Sequence, residues 1–237
     1  MSAEATEPAQ QPPPSSSHDP ESRGLRLVAV LLVLTVVSGL IDAVSYLGLG
    51  HVFTANMTGN VVVLGFAAAG APGFSVPHTL VSLGSFVVGA VAGGRLAVRL
   101  GGGSRRRWAR ITLAVEAVFL GASTVVAFAA PDATATVYAL IAVTAFAMGL
   151  RNATVRRLGV PDLTTTVLTM TLTGLAADSR AAGGTGVHSP RRSASVAAMA
   201  LGALLGAWLV VHHGLGIPLL VGAVAVAVLA VSASGRE

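Results

Sequence analysis

The polar residues best suited to chemistry lie close together in residues 39–60, GLIDAVSYLGLGHVFTANMTGN. This stretch interrupts an apolar sequence with Asp42, Asn56, Thr58, Gly59 and Asn60. Hydrocarbon does not accommodate such groups unless protein or water satisfies them. An intramembrane carboxylate can carry a proton or bind a cation, and amides and hydroxyls beside a glycine can orient a polar solute. The stretch is therefore the first candidate for a functional site.

Each of the two carboxylates in the apolar part of the chain has a structural alternative. Asp42 could instead cap the short helix that follows it, or pair with an arginine. Glu116 lies only six residues after Arg110 in the sequence. This shallow position predicts an ion pair with Arg110 or Arg99, whereas a coupling role would require a deeper one.

Composition identifies the class of protein. Of 237 residues, 53% are hydrophobic, 11% are charged and 28 are glycine, which indicates a polytopic membrane protein. The net charge of +5 comes from Arg without Lys, a usage typical of a high-GC bacterial genome, so we predict an inner-membrane protein and no nucleic-acid partner. There is no Cys, and no motif for a metal, nucleotide or other cofactor.

The chain divides into a tail and one membrane domain. Residues 1–24, rich in Pro, Ser and acidic residues, predict a disordered tail, and residues 25–235 a single transmembrane domain. A bilayer core of about 30 Å requires about 20 apolar residues of helix. Six runs are long enough: 27–47, 79–100, 111–130, 134–150, 193–211 and 215–232. Two shorter polar runs, 55–69 and 164–177, predict re-entrant or broken helices.

An internal repeat relates residues of about 27–130 to those of about 134–232. Gly39 and Asp42 return about 110 residues later as Gly149 and Asn152. The repeat predicts a site shared by the two short segments, with Asp42 and Glu116 as coupling residues. Its proposed ligand-binding residues are Asp42, Asn56, Thr58, Gly59, Asn60, Asn152, Thr165 and Thr169.

The arginines predict the topology, because arginine near membrane ends stays cytoplasmic. If the two short segments re-enter, six helices cross, all 15 Arg fall inside and both termini are cytoplasmic. The predicted fold is thus all-α, a six-helix membrane bundle with two re-entrant or broken helices, built from two inverted repeats. Secondary transporters place polar sites on such broken helices, so a transporter or permease for a small polar solute or ion is the leading hypothesis.

Two alternatives from other classes remain. Glycines at four-residue spacing in residues 79–100 and 193–211 let helix backbones approach closely, within the chain or in a homo-oligomer. With the basic linker 101–110, they are also compatible with a non-transporting module that binds membrane lipid or a protein partner. Ser123 and His212 could form the dyad of an intramembrane serine protease, although enzyme signatures are otherwise poor.

The motifs in these segments resemble those of the YoaK family, bacterial integral membrane proteins with domain of unknown function 1275. The matching positions are Gly39, Asp42 and Ala43; Phe53, Asn56, Met57, Thr58, Gly59 and Asn60; and Gly149, Asn152 and Ala153. The resemblance covers about residues 27–235 and implies a multi-pass membrane protein, without implying a substrate. This chain departs from the pattern at Arg151, where the family usually has Gln, and at Thr169-Met170, where it has a second Thr-Gly.

Overall fold

A computed structural model describes residues 20–100, 105–131, 133–158, 168–187 and 189–232. Within these ranges the chain is helical and contains no strand, which confirms the all-α prediction. The helices are α1 (Pro20–Gly48), α2 (Met57–Ala68), α3 (Val76–Leu100), α4 (Arg105–Ala129), α5 (Thr134–Leu158), α6 (Leu168–Ala177), α7 (Ser189–His213) and α8 (Gly216–Ser232). Helix α1 begins at Pro20, earlier than the predicted end of the tail, whose residues 1–19 lie outside the described ranges.

Helix lengths separate the spanning helices from the short ones. Five helices are long and apolar enough to cross a membrane: Leu27–Gly48, Val76–Leu100, Arg107–Ala129, Thr134–Leu158 and Pro190–His213. Helix α8, the sixth predicted span, has 17 residues, or about 25 Å. Helices α2 and α6 have 12 and 10 residues, about 18 and 15 Å, and are too short to cross a core of about 30 Å. The molecule is a polytopic helical bundle.

Glycines bring each half of the chain against the other half. Helix α7 packs on α1 where Gly202 lies against the backbone of Val36, and α3 packs on α5 where Gly89 lies against the backbone of Phe146. A Cβ at either glycine would overlap the facing main chain. Because both the glycines and their targets are repeat-related, the sequence repeat is also a repeat of contacts.

A second pair of glycines extends these two contacts in the same direction. Gly206 lies against Leu40 of α1, and Gly93 lies against Leu150 of α5. The prediction that the glycine rows are helix contacts is confirmed for these positions. Gly84 and Gly94 make no such contact within the described bundle, where a Cβ would meet no atom within 4 Å.

The order of contacts along each pair gives the relative helix directions. Gly202 and Gly206 meet Val36 and Leu40 in the same order, so α1 and α7 are parallel. Helices α3 and α5 are parallel for the same reason. Helix α8 is antiparallel to α1, because its Gly222 lies near Ile41 whereas Leu215, just before its start, lies against Gly48 at the end of α1.

Helix α4 is antiparallel to both α5 and α8. Phe119 contacts Phe146 with ring centroids 5.1 Å apart, while Glu116, one turn earlier on α4, binds Arg151 further along α5. Phe128, near the end of α4, lies against Gly216 at the start of α8. Helices α1, α4 and α7 therefore point one way and α3, α5 and α8 the other.

These directions make the two repeats inverted. Helix α3 returns antiparallel to α1, so the chain enters and leaves α2 on the same side of the bundle. The Nδ1 atom of His51, in the loop after α1, lies 2.9 Å from the carbonyl oxygen of Gly73, just before α3. Repeat one (α1, α3, α4) and repeat two (α5, α7, α8) each contribute three helices besides the short α2 and α6, with opposite orientations.

Cysteine labelling in intact cells tests this arrangement. The native chain has no Cys, so Pro72→Cys and Thr185→Cys, both at exposed loop positions, provide single labels. We expect an impermeant thiol reagent to label Pro72→Cys, and to label Thr185→Cys only after the membrane is permeabilised, because α2 and α6 return on opposite sides. Labelling of both positions from the same side would contradict the inverted repeats.

Candidate functional site

Asp42 holds the chain segment that leads into α2. Its side chain is buried near the end of α1, with 5% of its surface exposed. Its Oδ1 atom accepts the backbone N–H groups of Thr54 at 3.2 Å, Ala55 at 2.8 Å and Asn56 at 3.3 Å. Asp42 therefore holds the loop before α2, whereas the predicted alternative, a cap on the helix itself, falls to Asn56.

Two polar atoms beside these hydrogen bonds have no partner of their own among the described residues. The Oδ2 atom of Asp42 and the Oγ1 atom of Thr54 are buried and have no hydrogen-bond partner among the described residues. Buried polar atoms in folded proteins are nearly always satisfied. A carboxylate oxygen and a hydroxyl are thus available here to a proton, a cation or a polar ligand.

Asn60 joins the same segment to α3. Its Oδ1 atom accepts the Phe53 N–H at 2.8 Å, and its Nδ2 atom donates to the Phe53 carbonyl at 2.6 Å and to the Ser82 hydroxyl at 3.0 Å. Ser82 in turn donates to the Phe53 carbonyl at 2.6 Å. Because these bonds satisfy the whole side-chain amide, Asn60 positions the loop rather than offering a free group.

Asn56 and Gly59 complete the start of α2. Asn56 caps the helix, with its Oδ1 atom accepting the Gly59 N–H at 3.4 Å. The Phe53 ring lies directly over Gly59, where a Cβ would be 2.7 Å from the ring. The Phe53 ring can pack on the first turn of α2 because residue 59 is a glycine.

The other predicted binding residues do not join this cluster. Thr58 and Thr169, which are related by the repeat, are both exposed. Asn152 is half-buried and its Nδ2 atom donates to the Met148 carbonyl on its own helix at 2.9 Å. Thr165 lies outside the described residues. The structure thus brings together Asp42, Asn56, Gly59 and Asn60, all from the first repeat.

Glu116 has a different partner from the ones we predicted. It is fully buried, and its Oε1 atom accepts both the Nε of Arg151, at 2.8 Å, and the Nη2 of Arg151. The prediction of an ion pair with Arg110 or Arg99 is therefore wrong: α4 turns Glu116 toward the bundle interior, where α5 supplies Arg151. The Nη1 atom of Arg151 continues to α1, donating to the Leu34 carbonyl at 2.8 Å and the Ser38 hydroxyl at 2.9 Å.

Asp42, Glu116 and Arg151 form one buried charged cluster across α1, α4 and α5. Arg151 reaches Ser38, one turn before Asp42, and its positive charge acts on the Asp42 carboxylate. Arg151 is hydrogen-bonded to Glu116 and not to Asp42, so with all three groups ionised the cluster carries one excess negative charge. An uncompensated charge is costly inside a protein, so the cluster favours uptake of a proton or a cation.

Sequence reasoning missed Arg151 and Ser38 in this cluster, and Ser82 beside Asn60. Arg151 was interpreted as a cytoplasmic topology marker, yet 1% of its surface is exposed. The available signal was its context, AFAMGLRNATV, which places an arginine inside an apolar helix while another apolar helix carries Glu116. Charged residues within membrane segments commonly pair with one another.

The protease dyad is not formed. The Ser123 hydroxyl donates to the Phe119 carbonyl on its own helix at 2.9 Å. His212 is exposed at the end of α7, where its ring stacks on Trp208. Across the described residues α4 and α7 do not pack against each other, so no hydrogen bond can join this serine to this histidine.

Comparison with known proteins agrees with the family resemblance of the motifs and with a membrane protein. Residues 30–232 match the model of a protein family described as protein of unknown function DUF1275. The chain is 34% identical over 152 residues to the UPF0700 transmembrane protein YoaK of Bacillus subtilis (strain 168), covering 63% of this chain and 65% of that relative. No solved structure matches it. The chain therefore belongs to the DUF1275 family of multi-pass membrane proteins.

Proposed function

We propose that this protein is a secondary transporter or permease for a small polar solute or ion, with Asp42 as the residue that binds the proton or cation. The observation that carries the proposal is the buried Asp42 carboxylate, whose Oδ2 atom has no hydrogen-bond partner among the described residues and lies in a cluster with an excess negative charge. The site lies where a short helix interrupts the first of two inverted repeats. Transporters of this architecture bind ions and solutes at interrupted helices.

The hydrogen bonds of Asp42 suggest how binding could move the chain. Its Oδ1 atom holds three backbone N–H groups, and such bonds are stronger when the acceptor is charged. A proton or cation at Oδ2 withdraws negative charge from the carboxylate and weakens these bonds. The loop between α1 and α2 then loosens. Binding of a proton or cation to Asp42 would in this way open the site to solvent on the side of the bundle where α1 ends.

We further propose that the protein lies in the bacterial inner membrane with both termini cytoplasmic. The helix directions gather most described arginines at one end of the bundle, which the charge rule assigns to the cytoplasm. They lie near the end of α3, the start of α4, the end of α5 and the start of α7: Arg95, Arg99, Arg107, Arg110, Arg156, Arg157, Arg191 and Arg192.

Asp42→Asn tests the role of the charge. Asparagine keeps an oxygen for the loop N–H groups but removes the negative charge, and it is the residue that the second repeat carries at the equivalent position, Asn152. The purified protein is reconstituted on supported membranes, and currents are recorded after concentration jumps of Na⁺, K⁺, amino acids, carboxylates and sugars at several pH values. Since a bond to a charged group contributes about 1.5–3 kcal/mol, we expect the apparent affinity for an active compound to fall about tenfold or more.

Ser123→Ala is the matched control, because Ser123 is also buried and polar but binds only its own helix. It is expected to give wild-type currents. Equal currents from wild type and Asp42→Asn, with every active compound, would contradict the assignment of Asp42. No current from any compound in the wild-type protein, while the same membranes report a known transporter, would contradict transport itself.

A further inference from the structure

A groove at the end of α3 is separate from the charged cluster. Its volume is about 420 Å³, and it is lined by Val91, Gly94, Arg95, Val98, Arg99 and Arg157. Helix α3 supplies one wall, and Arg157, near the end of α5, supplies the other. The groove therefore opens at the end of the bundle where the arginines gather, the level of the lipid headgroups in the topology proposed above.

The three arginines of the groove have no acidic partner. Arg95, Arg99 and Arg157 are exposed, and none forms an ion pair with a described acidic side chain. Arg95 and Arg99 are one helical turn apart, so they lie on the same face of α3. Three guanidinium groups that converge on one groove form a site for an anion with several oxygen atoms, and phosphate matches guanidinium geometry.

The rest of the groove is apolar and open. Val91 and Val98 are 46% and 68% exposed, and a Cβ at Gly94 would meet no atom within 4 Å. The valines and the missing side chain of Gly94 leave an apolar channel beside the arginines. An inorganic anion would not contact this apolar surface, whereas a hydrocarbon chain would cover it.

We propose that this groove binds an anionic phospholipid, with its phosphate on Arg95, Arg99 and Arg157 and an acyl chain along Val91, Gly94 and Val98. The combination of unpaired cations and an exposed apolar wall at one end of the bundle matches a lipid whose phosphate and hydrocarbon are joined. The site uses neither Asp42 nor Glu116, so it stands whether or not the protein transports a solute.

Native mass spectrometry of the full-length protein, titrated with phosphatidylglycerol or phosphatidylcholine, tests the charged half of the site. The triple variant Arg95→Gln, Arg99→Gln, Arg157→Gln is compared with a charge-matched control, Arg110→Gln, Arg180→Gln, Arg191→Gln, whose positions are exposed and outside the groove. Because the groove variant removes three charge-assisted hydrogen bonds to the phosphate, it should bind phosphatidylglycerol about a hundredfold more weakly. The control should stay within about twofold, and a groove variant that binds as tightly as the control would overturn the proposal.

Gly94→Leu tests the apolar half, with Gly84→Leu as its control. Both glycines lie on α3, and a Cβ at either would meet no atom within 4 Å, so the two substitutions begin from equally open positions. Gly94→Leu fills the channel and is expected to weaken phosphatidylglycerol binding at least severalfold, whereas Gly84→Leu leaves it unchanged. If glycerol phosphate or inorganic phosphate bound as tightly as the lipid, or if Gly94→Leu had no effect, the groove would be a free-anion site and the lipid assignment would be wrong.

Discussion

Arg151→Met is expected to lower the free energy of unfolding by about 3–5 kcal/mol, the usual cost of removing one partner of a buried ion pair. The variant leaves the buried Glu116 carboxylate without its ion-pair partner and removes a positive charge that acts on Asp42 at longer range. It also removes the guanidinium donor from the Ser38 hydroxyl and from the Leu34 carbonyl, which keeps only the bond that Ser38 donates to it. The measurement is denaturant-induced unfolding of the reconstituted protein, followed by circular dichroism.

The double variant Arg151→Met, Glu116→Met tests whether the lost stability comes from leaving the Glu116 carboxylate buried without a partner. Two apolar side chains in place of a buried pair are often neutral or stabilising, so the double variant should recover most of the stability lost in Arg151→Met. Arg110→Gln, at an exposed position on α4, is expected to change stability by no more than about 0.5 kcal/mol. A double variant as unstable as the single one would show that the unpaired Glu116 carboxylate is not the cause of the lost stability.

Gly202→Ala and Gly89→Ala are each expected to destabilise the protein by about 1–3 kcal/mol, the range for overfilling a packed contact. A methyl group at either position meets the main chain of the facing helix, at Val36 or at Phe146, so the helices must separate. Because the two contacts are repeat-related, the two costs should be similar. Thermal unfolding in one detergent provides the comparison.

Gly84→Ala is the control on the same helix as Gly89. Its Cβ meets nothing within 4 Å, and alanine is favoured over glycine within helices by about 1 kcal/mol, so this variant should be neutral or stabilised. If Gly89→Ala and Gly202→Ala behaved like Gly84→Ala, close packing at the glycines would not stabilise the bundle. If only one of them were destabilised, the packing of the two halves would not be equivalent.

The bundle could be predicted from the sequence because bilayer thickness fixes helix length. The long apolar runs, the two short segments and the inverted repeat follow from run length, residue spacing and arginine placement, and they agree with the helices observed. Glycine spacing predicted the contacts at Gly89 and Gly202 as well. These features depend on the residues of one segment at a time.

The neighbours of each side chain could not be predicted, since they depend on how helices are arranged in three dimensions. Glu116 was assigned to arginines near it in the sequence or at the same end of the bundle, whereas its partner Arg151 comes from the next helix, turned inward. The short helices have little amphipathic pattern to indicate which face is buried, so Thr58 and Thr169 were grouped with Asn60 although they are exposed. Asp42 was correctly singled out, but its three loop hydrogen bonds required coordinates.

Each repeat packs on the other repeat, α1 on α7 and α3 on α5, and this has a consequence for how the protein is synthesised. Helix α1 leaves the ribosome long before α7, yet its glycine-contacting surface at Val36 and Leu40 is completed only by Gly202 and Gly206. During synthesis this face of α1 is therefore covered by lipid or by the insertion machinery until most of the chain has been made. A chain truncated after α4 lacks the partners of both α1 and α3, so neither half can mature alone, and translation has to be nearly finished before the protein can assemble.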